Sequence, residues 1–105
     1  MKIQTLLTEE LENNSRTIVL VGETRNKVKG TLYVQVEAAE DLALTVSGRV
    51  SQTTDDVPLM GVDMSTYTKI ATVTDNGIYW FLGEEFYSVT FTAVGSCRIT
   101  LKVIE

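Results

Sequence analysis

The stretch Thr31-Leu32-Tyr33-Val34-Gln35-Val36-Glu37 alternates polar and apolar side chains at every step. Successive residues of a strand point to opposite faces, so this is a strand with one face against a core. Leu32, Val34 and Val36 share the inner face, and Thr31, Tyr33, Gln35 and Glu37 the outer one. After Ala38-Ala39-Glu40-Asp41, which reads as a polar turn, the same phase resumes in Leu42, Leu44, Val46 and Val50. Gly48 within that run suggests a bulge or a bend.

The pattern repeats further along. Tyr87, Val89, Phe91 and Ala93 share a face opposite Ser88, Thr90 and Thr92. Val94-Gly95-Ser96 reads as a turn, and Cys97, Ile99, Leu101 and Val103 then alternate with Arg98, Thr100 and Lys102. Pro58 lacks an amide donor and marks a strand edge or a connection. Asp75-Asn76-Gly77 has the composition of a tight hairpin turn, since Asn-Gly accepts positive φ readily. Strands spaced by turns in this way define an all-β fold, an antiparallel β-sandwich of jelly-roll or immunoglobulin type.

The first thirty residues follow a different pattern. Thr17 to Val21 reads as a strand, whereas Leu6, Leu7 and Leu11 fit either one short helix or, with Lys2 to Leu7 extended, an edge strand or arm. The expected organisation is one structural domain. Residues 1–30 form an arm or edge segment with the first strand, and residues 31–105 form the body. A chain of 105 residues has room for one core and no second domain.

Composition narrows the chemistry. Hydrophobic residues at 44% and charged residues at 22% are those of a folded domain rather than a disordered one. No apolar run approaches the ~20 residues of a membrane-spanning helix, so no membrane partner is expected. The start, Met1 to Glu10, turns acidic before a signal-peptide core forms, which suggests an intracellular setting or a particle assembled there. Residues 1–30 carry five Lys/Arg against four Glu, and residues 31–105 carry four against ten Asp/Glu. An acidic body is repelled by phosphate backbones, so no nucleic-acid partner is expected, and Arg25-Asn26-Lys27-Val28-Lys29 reads as a solvated turn.

There is no histidine and a single cysteine, Cys97. A Ser or Cys nucleophile therefore lacks its usual base, and structural zinc lacks its ligands. Cys97 is in phase with aliphatic neighbours and reads as an inert buried thiol. The acidic pairs Glu9-Glu10, Glu40-Asp41, Asp55-Asp56 and Glu84-Glu85 read as turn residues, and adjacent carboxylates of a strand point to opposite faces instead of facing each other across a cleft. Asp55, Asp56, Asp63 and Asp75 would serve calcium only if their loops converged, and their spacing is not that of a calcium loop. No enzyme activity, cofactor or metal is expected.

The apolar run Ile78-Tyr79-Trp80-Phe81-Leu82, followed by Phe86 and Tyr87, is the most informative feature for function. With Ile78, Trp80 and Leu82 placed in the core, Tyr79 and Phe81 face outward, to meet a partner, to lie under a second layer or to stack on a sugar. Tyr79, Phe81 and Phe86, with Leu6 and Leu7 of the arm, are the candidate interface residues.

The second half also resembles a pattern found in small β-sandwich virion proteins of tailed bacteriophages, of the head-decoration, head-fibre and neck-associated types. The residues that carry the resemblance are Gly61-Val62-Asp63, Asn76-Gly77-Ile78-Tyr79, Tyr87-Ser88-Val89-Thr90-Phe91 and Arg98 to Ile104. The resemblance implies a non-enzymatic virion component, assembled in the host cytoplasm, that self-associates and binds capsid or connector proteins of the same particle. The alternative is a carbohydrate- or ligand-binding sandwich module with Tyr79, Phe81 or Tyr67 as its stacking platform.

Overall fold

The alternation of Ser88 to Ile104 is realised as one strand of 17 residues, β8, and that of Thr31 to Arg49 as one of 19 residues, β3. The two pair antiparallel along their whole length. The computed structural model describes residues 3–19, 31–82 and 86–104, the side chains of 3–6, 82, 103 and 104 excepted. On the other side of β8 lie β1 (Ile3–Glu12) and then β2 (Ser15–Val19), each antiparallel to it. β3 takes β7 (Gly77–Leu82) beside Thr31–Val36 and β4 (Val57–Leu59) beside Val46–Gly48. β5 (Gly61–Asp63) and β6 (Thr68–Ile70) extend the sheet, giving the order β1-β8-β3-β7-β5-β6. The fold is all-β and antiparallel, as the period-two pattern requires.

The strands are bent. Seventeen residues at ~3.3 Å each would span roughly 55 Å if straight, whereas the longest dimension of the molecule is 37 Å. The bend occurs at one level in three neighbouring strands. Asn13 lies between β1 and β2, β3 shifts register between Glu37 and Ala43, and Gly95 sits within β8. Asn13, Ala38, Asp41 and Gly95 all adopt positive φ there. The Asn13 amide donates to the Gly95 carbonyl at 3.0 Å, and the Gly95 amide donates to Asn13 Oδ1 at 2.9 Å. The Ala39 amide donates to Asn76 Oδ1 at 2.9 Å, which ties the bulge of β3 to the start of β7.

These features correct four expectations. Ala38–Asp41 and Val94–Ser96 are irregularities inside continuous strands, not turns between separate ones. Asn76-Gly77 closes no hairpin, because β6 pairs with β5 while β7 pairs with β3 and β5. Gly48 causes no register shift; it is buried where a Cβ would stand 3.0 Å from Leu59 Cδ1 and 3.1 Å from Phe86 Cδ1. Of the two alternatives open for Leu6, Leu7 and Leu11, the fold takes the edge strand: all three are on β1, where pairing with β8 supplies the hydrogen bonds that a two-turn helix would have to make alone.

Because the register shifts preserve phase, Leu32, Val34 and Val36 before the bend and Leu42, Leu44 and Val46 after it enter one core. Phe91, Ile99, Leu101 and Leu11 are fully excluded from solvent within it. Fully burying such a side chain contributes about 1.5–3 kcal/mol. Cys97 is buried in the same cluster, and burial pushes its thiol pKa up. Glu9 and Arg16 lie on the core-side phase of the β1–β2 edge, beside Ile99 and Phe91, and form an ion pair at 3.7 Å. Charges placed inward on an edge strand discourage further strand addition.

Candidate interaction surface

The parity of β7 is the reverse of the one expected from sequence. Tyr79 and Phe81 are each 3% exposed, whereas Ile78 is 46% exposed and Trp80 is half-buried. Cross-strand partners share a face, and β7 pairs Tyr79 with Val34 and Phe81 with Leu32. The core face of β3 therefore draws Tyr79 and Phe81 inward. An unbroken apolar run has no alternation of its own, and a one-residue choice of register exchanges its two faces. The Tyr79 hydroxyl donates to the Asp75 carbonyl at 2.8 Å, and burial, with Asp63 and Asp75 nearby, raises its pKa.

The remaining candidates are dispersed. Leu7 and Phe86 are partly buried and pack against the core cluster, and the Leu6 side chain lies outside the described residues. Tyr67, 79% exposed, is at the tip of the β5–β6 hairpin with φ 55°. As a stacking platform, the carbohydrate alternative thus loses Tyr79 and Phe81 and keeps Tyr67. Arg25 to Lys29 and Glu84-Glu85 lie outside the described residues.

Two of the four aspartates, Asp56 and Asp63, have local side-chain partners. Asp56 accepts from Arg49 Nε at 2.9 Å, and Asp63 Oδ1 accepts from the Ser65 amide and hydroxyl at 2.9 and 2.7 Å. Each contact holds its carboxyl below the usual carboxylate range. Among the described residues no three acidic, cysteine or histidine side chains come together as a metal cage.

The outer face of the half-sheet that includes β7 is organised in rows across the strands. Lys102, Tyr33, Trp80, Val62 and Lys69 form one row, each paired with the next. The next row toward the bend is Thr8, Thr100, Gln35 and Ile78. Glu10, Arg98 and Glu37 follow, with Arg98 bound to Glu37 at 3.1 Å, and then Glu12, Ser96 and Glu40. One end of this face is aromatic and basic, and the other is acidic. A groove of about 390 Å³ lies beside the aromatic end, lined by Leu59, Met60, Val62, Lys69, Trp80 and Phe86 among others. At the acidic end Glu10, Glu12, Glu40, Ser96 and Arg98 line a shallow polar hollow of about 260 Å³.

Pairing thus replaces Tyr79 and Phe81 by Trp80 and Ile78 as the aromatic and aliphatic groups of β7 that reach the surface. Alternation alone assigns Tyr33 and Lys102 to the outer face. Trp80 was missed because only its partners in β3 and β5 determine which way it points.

The arrangement is a sheet face with polarised ends, flanked by an apolar groove and a polar hollow. No protein-family model and no curated protein sequence matches the chain. Among solved structures, the SPBc2 prophage-derived protein YomS is similar over 99% of this chain and 92% of its own, with a TM-score of 0.73 at 12% identity. At that identity the likeness is one of fold.

Proposed function

We propose that the protein is a non-enzymatic structural component of a bacteriophage particle, a capsid-decoration, fibre or connector-associated protein that acts through protein–protein contacts. The observation that carries this reading is the likeness of nearly the whole chain to a prophage-derived protein of the same fold. The outer sheet face adds support, because half-buried aromatic residues rimmed by charge are the composition of contact surfaces.

The experiment is gradient purification of phage particles from cells that produce the tagged chain. The chain is expected to sediment with heads, tails or complete particles and to resist a salt wash. Recovery of all of it at the top of the gradient, while particles assemble normally without it, would refute a virion role.

A further inference from the structure

We propose that the outer face of this half-sheet is a self-association surface, on which a second copy of the chain docks face to face with its strands antiparallel. The inference goes beyond the phage reading and does not depend on it. Its ground is charge complementarity within a single face. Lys102 is at one end beside Tyr33 and Trp80. Six residues along the same strand, roughly 20 Å away, Ser96 is flanked by Glu12 and Glu40 over the polar hollow.

A twofold axis lying in the interface, parallel to the rows, reverses the strand direction and keeps lateral position. It sets β8 over β8, so that Lys102 of each copy meets the Glu12–Glu40 hollow of the other, twice per dimer. A twofold axis along the strands would instead stack lysine on lysine and carboxylate on carboxylate. The antiparallel arrangement is self-complementary, as an isologous dimer requires. It also covers Trp80, Tyr33 and Ile78, the apolar groups that the monomer leaves part-exposed.

The symmetry supplies the test. Purified K102E and E12K/E40K chains are compared with wild type by light scattering and sedimentation, alone and as an equimolar mixture. Each variant alone sets like charges against each other at both contacts, and its dimer should be at least about 10-fold weaker. In the mixture both contacts regain opposite charges, and dimer should return as the mixed species. Wild-type dimer should weaken with added salt, and Trp80 emission should shift to the blue as protein concentration rises.

A wild-type chain that remains monomeric at millimolar concentration overturns the proposal. So do variants that dimerise like wild type, or a mixture that stays monomeric. If a charge variant lost its β spectrum, a wild-type dimer indifferent to salt and with unchanged Trp80 emission would still overturn it. These measurements need no phage, so failure here and failure of the virion reading are distinguishable.

Discussion

Gly95→Ala tests the joint on which the sheet bends. Gly95 has φ 86°, and a side chain in the left-handed region costs about 1–2 kcal/mol. A Cβ at this position would also lie against the Asp41 carbonyl oxygen, 2.6 Å from Asp41 C and 2.6 Å from the Glu40 oxygen. These are backbone atoms of the bulge in β3, so no rotamer change relieves the overlap. Overpacking of this kind costs about 1–3 kcal/mol more. The sum, about 2–5 kcal/mol, is a large share of the ~5–15 kcal/mol that holds a domain together. Urea unfolding followed by far-UV circular dichroism should show the lower midpoint, with the melting temperature reduced by at least about 10 °C. Gly95→Asn should fall between the two, because Asn tolerates positive φ but keeps the Cβ. A Gly95→Ala chain within about 0.5 kcal/mol of wild type at unchanged m would refute the assignment of the bend to this contact.

The two faces of β7 should differ in energy. Phe81→Ala should cost about 3–5 kcal/mol in chemical denaturation, and Trp80→Ala less than half as much; equal losses would mean that the β3–β7 register is wrong. Cys97 should react with a thiol reagent only at the rate of unfolding, so immediate labelling of native protein would contradict its burial. Asp56, held down by its hydrogen bond from Arg49, and Asp63, held down by those from Ser65, should both titrate below an ordinary aspartate in carbon-detected NMR. Because these folded-state pKa values are lowered, their contribution to stability is complete above the unfolded pKa and is lost as pH falls through the folded one. Arg49→Ala should return Asp56 toward its usual range and leave Asp63 unmoved, and movement of both would argue against separate local contacts.

The β class and the inner faces of the long strands were legible in the residues themselves. Leu32, Val34 and Val36, and likewise Val89, Phe91, Ile99 and Leu101, alternate with polar groups, and a strand with one wet face can place them only inward. The same phase marks Cys97 as buried, and Tyr33, Arg98 and Lys102 as outward-facing, so these positions of the candidate surface are legible in the sequence. Three other features depend on partners distant in the chain. The polar breaks at Ala38–Asp41 and Val94–Ser96 have turn composition, yet they are bends because Asn13, Gly95 and Asp41 stack at one level of paired strands. Leu11 is in a strand because β8 offers it an edge and a core, where local spacing allowed a helix equally well. For Ile78 to Leu82, apolar at every position, the orientation follows from pairing with Val34 and Leu32 of β3. Alternation is a local property and survives in sequence; register is a relation between strands, and tertiary pairing alone decides it.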